Sequence, residues 1–280
     1  MEKYHTHISS KHKLLDLKLK EVWRYRDLIW LFTKRSFVVT YKQTILGPAW
    51  LFITPILTSL IYAFVFGGIA GMDTDGIPQL LFYMCGTPLW SLFSNTLTRN
   101  ASTFTANAGV FGKVYFPRLT TPISVTLSAI IQFFIQAIML VAILLFYVFT
   151  GEVSPNWEMF WVVPLVLLHL SIMGMGLGII ISSLTTKYRD LSVLVGFGAQ
   201  LLMYATPVVY PLSQLDEGIM RTLVMINPVT MPMELFRYAV LGQGTIEPLY
   251  LAISVAFTIL VLFVGIMIFN KVERTFMDTV

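Results

Sequence analysis

Six long stretches without a charged residue constrain this chain more than any other feature. Residues 43–72, 76–98, 119–151, 159–186, 191–215 and 248–270 contain no Asp, Glu, Lys or Arg, and each is at least 23 residues long. About 20 apolar residues cross the hydrocarbon core of a membrane as an α-helix. Only 12% of the residues are charged, about half the share found in soluble domains, so an ordinary soluble enzyme is excluded. The sequence predicts an all-α integral membrane protein with six transmembrane helices, forming a single domain over residues 1–280.

The positions of the basic residues predict the orientation of these spans. We place the spans at about 46–70, 80–98, 119–150, 160–184, 192–210 and 249–270. The segments on the side of the termini contain 17 of the 19 Lys and Arg, whereas the opposite side has only Arg221 and Arg237. Because cytoplasmic loops are enriched in Lys and Arg, both termini are expected to lie in the cytoplasm.

The excess of basic residues indicates that the chain contacts lipid head groups rather than nucleic acid. The net charge of +4 comes from Lys and Arg that border the spans, not from a patch interleaved with aromatic residues. Anionic lipid head groups are therefore the expected partner. Residues 13–35 have a basic face and a face rich in Trp, Leu and Val, which is typical of an amphipathic helix in the plane of the membrane interface.

Two connecting segments are unusually apolar. Residues 101–118 are predicted to be a cytoplasmic loop, and they carry few charges and several large apolar residues, which suits a docking surface. Residues 211–247, on the outer side, are predicted to form two short helices that dip into the membrane interface, with Gly242 as a stop signal. Glu234 and Arg237 are three residues apart there, which allows either a pair or two separate solvated side chains.

The chemistry that the sequence lacks is also informative. No Walker A, HExxH, GxSxG or paired CxxC motif occurs, and Cys85 is the only cysteine. His169 is the one ionisable-type side chain inside a predicted span, and a hydrogen bond in helix packing explains it. Ion-coupled transporters and intramembrane enzymes place ionisable groups at depth in the membrane. If the chain moves a substrate, the energy is therefore expected to enter through a cytoplasmic partner.

Five segments in order along the chain carry a family resemblance. They are residues 25–50, which enter span 1; residues 112–118; residues 187–190 after span 4; residues 206–211 after span 5; and Asn227-Pro228 followed by residues 234–238. Together they resemble the permease subunits of the ABC-2 type transporters that export polysaccharides and teichoic acids. The similarity covers nearly the whole chain.

The resemblance implies an assembly and a substrate. Two copies of this chain would combine with two P-loop ATPase subunits in a bacterial plasma (inner) membrane. ATP and Mg²⁺ would be bound by those partners, so this chain would be non-catalytic and hold no cofactor. The substrate implied is a glycan linked to undecaprenyl pyrophosphate, such as O-antigen or teichoic acid, which would pass to the outer face of the membrane.

The resemblance also assigns candidate residues. Residues 101–118 resemble the coupling element that docks on the ATPase, with the candidates Thr103, Ala106, Gly109, Val110, Phe111, Lys113 and Val114. The family's channel runs between the two permeases and is lined by aromatic side chains, for which the candidates are Tyr62, Phe66, Phe197, Tyr204 and Tyr210. Candidates for the lipid pyrophosphate are Lys34, Arg35, Lys42 and Arg118. Candidates for an outer gate are Glu234, Phe236, Arg237 and Tyr238.

Two other functions are compatible with a chain of this composition. An ABC-2 permease for small drugs or lipids would have an apolar pocket instead of a continuous aromatic channel. An intramembrane acyl- or glycosyltransferase would need His, Asp or Glu clustered at one membrane depth.

Overall fold

The computed structural model of the chain describes residues 19–42, 44–111, 113–185, 188 and 190–279. The first residues of the predicted interface helix, 13–18, lie outside the described residues, and so do Gln43, Gly112, Lys187 and Arg189 of the family segments. The described residues are helical or irregular, without a β-strand among them. Their helices are α1 (Leu19–Arg24), α2 (Arg26–Tyr41), α3 (Trp50–Tyr62), α4 (Gln79–Ala101), α5 (Thr103–Phe111), α6 (Thr120–Phe149), α7 (Val162–Thr185), α8 (Leu191–Tyr204), α9 (Ile219–Ile226), α10 (Thr230–Leu241) and α11 (Pro248–Thr279).

Six of these helices, α3, α4, α6, α7, α8 and α11, alternate in direction between two ends of one bundle. The start of α4 meets the end of α3, where the Tyr62 and Tyr83 rings are 5.9 Å apart. The last residue of α7 meets the last residue of α4, where the Thr185 hydroxyl donates to the Ala101 carbonyl at 2.9 Å. We call the end that carries α5 the α5 end and the opposite end, which carries α10, the α10 end.

Among the described residues, four helical segments are long and apolar enough to cross a membrane. They are Gly47–Ile69, Thr120–Phe149, Val162–Thr185 and Pro248–Val272, and they coincide with predicted spans 1, 3, 4 and 6. The first comprises α3, a 3-10 turn before it and a π-helical continuation over Ala63–Ile69. Helix α4 has 23 residues, but its second half is polar. The six-span topology therefore stays a prediction, within an all-helical membrane fold.

The predicted outer end of span 5 was wrong. We predicted it to reach residue 210, but α8 has 14 residues and ends at Tyr204. The reason is Pro207, which has no N–H to donate and disfavours helical backbone at the residue before it. The chain turns instead, with the Val208 N–H bonded to the Thr206 carbonyl at 2.7 Å.

Helix α4 lies at the centre of the bundle, and glycines of α7 allow the backbones of the two helices to come into close contact. Most of α4 is buried. A Cβ atom placed on Gly174 would be 2.9 Å from the Phe93 carbonyl oxygen, and one on Gly178 would be 2.7 Å from the Leu97 carbonyl oxygen. Gly176 faces α11 in the same way. These glycines therefore serve helix packing, since small residues allow close contact between apolar helices.

The N-terminal helix is longer than predicted. It bends at Tyr25 and continues to Tyr41 instead of ending at residue 35, and no Pro or Gly lies between those two residues to interrupt it. Its contact face includes Phe32, whose ring is 5.6 Å from that of Phe116, and the buried Thr33. Trp30 is exposed beside that contact face.

Candidate functional site

Helix α5 is a short helix held rigidly across the α5 end of the bundle. The Phe104 N–H donates to the Ser182 hydroxyl of α7 at 3.2 Å, and the Phe104 ring stacks on Phe269 of α11 with 4.7 Å between centroids. Phe111 and Phe116 complete a buried aromatic cluster beneath the helix. This arrangement joins α5 to the ends of α4, α7 and α11, so a force applied to α5 would reach all three.

The predicted coupling residues separate into a buried and an exposed set. Thr103 and Phe111 are buried and anchor α5 from below, so they do not offer a docking surface. Ala106, Gly109, Lys113 and Val114 are exposed, and Val110 is half-buried. The exposed side of the segment continues to Tyr115, which is 77% exposed. Lys113 is the one charged residue within this exposed set, so the surface is apolar with a small positive charge.

The four predicted pyrophosphate residues all lie at the α5 end but not in one place. Lys34 and Arg35 are exposed on α2, and Lys42 is exposed just beyond it. Arg118 is half-buried, with its guanidinium 5.6 Å from the centre of the Phe111 ring. Arg118 is therefore part of the aromatic cluster under α5, while the other three face outward.

An aromatic group lies where α3, α4 and α8 meet, towards the α10 end. Tyr62 and Phe66 are in edge contact at 5.6 Å, and the Tyr83 ring lies 5.9 Å from Tyr62 and 6.4 Å from Phe66. The Tyr62 hydroxyl reaches the Met203 sulfur of α8 at 3.7 Å. Sequence reasoning missed Tyr83, because no spacing along the chain shows that α4 packs against α3 at this point.

The other predicted channel residues follow α8 and the turn after it. Phe197 and Tyr204 are exposed, seven residues apart and therefore on one face of α8. Tyr210 is half-buried, and its hydroxyl donates to the Tyr204 carbonyl at 3.3 Å. The structure thus places Tyr62 and Phe66 in contact with each other, and Phe197 and Tyr204 along an exposed face nearby.

Glu234 and Arg237 form a buried ion pair, which decides between the two alternatives that the sequence left open. Each residue is 2% exposed, and the Arg237 guanidinium bonds the Glu234 carboxylate. The carboxylate also accepts the Thr245 N–H at 3.0 Å. Arg237 donates to the Pro207 carbonyl at 2.7 Å and lies 4.1 Å from the centre of the Phe82 ring. The pair therefore connects α10 to the turn after α8 and to the start of α4.

The two short helices at the α10 end have opposite environments. Helix α10 is almost entirely buried, with Phe236 packed 6.0 Å from Phe133 and with Tyr238 half-buried. We expected both helices to dip into the membrane interface, but α10 belongs to the protein core. Helix α9 exposes one apolar face, on which Ile219 is 81% exposed. Of the two helices, α9 alone has a surface suited to the membrane interface.

His169 makes the packing hydrogen bonds that the sequence predicts. Its Nε2 atom lies 2.9 Å from the Thr258 hydroxyl and 3.1 Å from the Ser254 hydroxyl, both on α11. Each hydroxyl donates its own proton to a backbone carbonyl, Ser254 to Pro228 and Thr258 to Ser254. Both hydroxyl oxygens are therefore acceptors for a proton on Nε2. Among the described residues, no cluster of His, Cys, Asp or Glu suited to a metal ion is found.

The sequence profile of the ABC-2 type transporter family matches residues 27–241. This range extends from the first turn of α2 to the end of α10, so it includes α5, the aromatic group and the buried ion pair.

Three proteins named for O-antigen export are similar to this chain over most of their length. An O-antigen export system permease protein RfbA of Klebsiella pneumoniae is 28% identical over 253 residues, covering 90% of this chain and 94% of the relative. A second protein of that name and organism is 28% identical over 270 residues, covering 94% and 99%. The RfbA permease of Myxococcus xanthus is 27% identical over 212 residues, covering 75% and 79%.

Proposed function

The chain belongs to the ABC-2 type transporter family, and we propose that it is the permease subunit of an ATP-driven exporter of lipid-linked polysaccharide. Membership of this family makes it a multi-pass membrane subunit of an ABC transporter assembly. The relatives named for O-antigen export match it over almost its whole length, which supports a polysaccharide as the substrate.

One observation carries the transport mechanism. Helix α5 presents an exposed surface with little charge, and its buried aromatic residues are fixed to α7 and α11. We propose that this surface is the docking site of the ATPase, which binds ATP and Mg²⁺ on its own P-loop. Movements of the ATPase would then pass to α4, α7 and α11 as rigid elements.

The distribution of charge supports the proposed orientation in the membrane. The basic residues at the α5 end include Lys34, Arg35, Lys42, Arg99 and Lys113, whereas the α10 end has Arg221 and the neutralised Arg237. Under the positive-inside rule, the α5 end faces the cytoplasm of a bacterial inner membrane, as do both termini. Lys34, Arg35, Lys42 and Arg118 would lie where a lipid pyrophosphate approaches, and charge-assisted hydrogen bonds would hold it.

We propose that the glycan passes between two copies of the chain. The exposed faces of α3 and α8 are apolar and lie side by side, next to Tyr62 and Phe66. Two such faces would enclose a passage lined by aromatic rings, along which a sugar chain stacks without binding to fixed charges. Either O-antigen or teichoic acid would suit such a passage.

A substitution at Gly109 tests the docking surface. A Cβ atom there would have no neighbour within 4 Å, so Gly109→Arg should leave the fold intact. A bulky charge in the docking surface should reduce ATPase co-purification and export by about tenfold or more, the loss of roughly 1.4 kcal/mol of binding. The assays are affinity co-purification with the partner ATPase of the transporter, and export of the surface glycan in a strain that lacks the native permease.

Thr150→Arg is the matched control, because Thr150 is exposed at the α10 end. It should leave ATPase binding unchanged. If the Gly109 variant binds the ATPase as well as the wild type does, α5 is not the docking surface.

A second test concerns the passage. Phe197→Ala should slow glycan export by about two- to tenfold, because a ring contact contributes about 0.5–1.5 kcal/mol. ATPase binding should not change, since Phe197 lies on α8 and is not part of the proposed docking surface. Phe149→Ala, which removes an exposed ring from the end of α6, is the control. Equal export by both variants would exclude Phe197 from the passage, and export of small lipids alone would favour a drug or lipid permease.

A further inference from the structure

A small polar pocket at the α5 end lies between three helices. It is lined by the second half of α2, the end of α4 and the early part of α6. The pocket is partly open and its volume is about 10 Å³, which is near the least room that one water-sized atom requires. The lining is Ser36, Phe37, Thr40, Tyr41, Arg99, Ser128 and Gln132.

Among the described residues that line this pocket, Arg99 alone is charged. Its side chain is half-buried, and within the described part of the chain it makes no ion pair and no side-chain hydrogen bond. A guanidinium always carries its charge at physiological pH and presents five N–H donors. An anionic oxygen from outside the chain would bind these donors by charge-assisted hydrogen bonds.

Three polar side chains next to Arg99 also have donor groups that bind no described residue. The side chains of Ser36, Tyr41 and Gln132 make no hydrogen bond to any described residue. Burial raises the pKa of the Tyr41 phenol, while the nearby Arg99 lowers it less strongly, so Tyr41 keeps its proton and can donate it. No Asp or Glu contributes to the lining, so nothing repels an anionic oxygen.

The position of the pocket indicates what kind of anion would reach it. Helix α2 forms one wall, and its other faces expose Trp30, Leu31, Val38 and Val39. Exposed Trp and aliphatic residues on a helix with Lys34 and Arg35 are typical of the membrane interface. Phosphate groups of lipids lie at this level, and a soluble anion would have to pass the lipid surface first.

We propose that the pocket around Arg99 binds the phosphate group of a lipid. One anionic oxygen enters the pocket and accepts hydrogen bonds from Arg99, Gln132 and the hydroxyls of Ser36 and Tyr41, while the rest of the head group lies at the mouth. This site is distinct from Lys34, Arg35, Lys42 and Arg118, and it does not depend on the proposed export function. A chain that exports nothing could still be tested for it.

The test is lipid binding by the purified full-length chain in detergent, measured by native mass spectrometry. The probes are phosphatidylglycerol, undecaprenyl phosphate and the uncharged undecaprenol. We expect Arg99→Gln to weaken binding of a phosphate-bearing lipid by about tenfold, because it removes charge-assisted hydrogen bonds. Arg99→Lys, which keeps the charge but not the planar fork, should retain intermediate affinity.

Arg24→Gln is the matched control, since Arg24 is an exposed arginine at the same end of the molecule. It should bind both phosphate lipids within about twofold of the wild type, because exposed charges contribute little. The proposal is overturned if Arg99→Gln binds both phosphate lipids as the wild type does, or if undecaprenol competes equally well. Thermal unfolding of each variant without lipid shows whether the fold is retained, and Arg99→Lys replaces Arg99→Gln as the deciding variant if the latter is unfolded.

The two phosphate probes distinguish the source of the ligand. Loss of phosphatidylglycerol binding in Arg99→Gln identifies the site as one for membrane phospholipid. Loss of undecaprenyl phosphate binding alone identifies it as one for a polyprenyl carrier. Either result supports a phosphate site at Arg99, and the glycan export assay with Gly109→Arg tests the export function separately.

Discussion

Replacing Arg237 with leucine is expected to lower the free energy of unfolding by about 3–5 kcal/mol, because it leaves a buried carboxylate without its partner. Glu234 would lose the guanidinium while remaining 2% exposed. The Pro207 carbonyl would lose its donor as well, and the Phe82 ring would lose the cation above it. The variant should therefore release the turn after α8 from α10.

The defect of the Arg237→Leu variant should grow as the pH rises. Burial raises the pKa of the Glu234 carboxyl, and Arg237 lowers it. Without Arg237 the pKa in the folded variant lies well above that in the unfolded chain. A carboxyl of this kind contributes most to stability below its unfolded pKa and loses that contribution as pH rises through its folded pKa. The variant should thus be nearest to the wild type in mildly acidic buffer.

Thermal unfolding in detergent at acidic and alkaline pH measures both effects. The double variant Glu234→Leu, Arg237→Leu should recover much of the loss, since it removes both buried charges together. Arg221→Leu is the control, because Arg221 is a half-buried arginine of α9 without an ion pair in the described structure. Equal stability of the Arg221 and Arg237 variants would show that the pair is not structural.

Replacing Gly178 with alanine is expected to destabilise the chain by about 1–3 kcal/mol or more, the usual cost of overpacking a dense core. The new Cβ would be 2.5 Å from the Asn100 Cβ and 2.7 Å from the Leu97 carbonyl oxygen. Neither atom is at the end of a flexible side chain, so α7 would have to move away from α4. Asn100 would be displaced from Thr126 of α6, to which its amide donates at 3.3 Å.

Gly196→Ala is the matched control within a helix of the same bundle. A Cβ atom there would meet nothing within 4 Å, and alanine favours a helix over glycine by about 0.5–1 kcal/mol. The two substitutions add the same methyl group, so opposite changes in melting temperature would isolate the contact between α4 and α7. A Gly178→Ala variant as stable as Gly196→Ala would contradict this close packing.

Much of the site was outside the reach of sequence reasoning. The aromatic candidates Tyr62 and Phe66 could be paired from their spacing of four on one helix, but Tyr83 joins them only because α4 packs against α3. Thr103 and Phe111 were grouped with Gly109 as docking residues, because the sequence of a segment predicted to be a loop does not show which of its side chains are buried. Once α5 forms, Thr103 and Phe111 turn inward. The end of α8, in contrast, was predictable from the sequence, because Pro207 disfavours a helix at the residue before it.

The sequence by itself determined the class of the fold, the approximate position of its long helices and the distribution of charge. These features follow from local rules: a lipid core excludes charge and leaves backbone groups to bond within a helix, and basic residues stay on one side. Only the tertiary structure decided that Glu234 and Arg237 form a buried pair, that α10 is core while α9 is surface, and that Arg99 has no counter-charge among the described residues. Each of these depends on which helices are neighbours. Burial and pairing are properties of contacts between segments far apart in the chain, and composition does not specify those contacts.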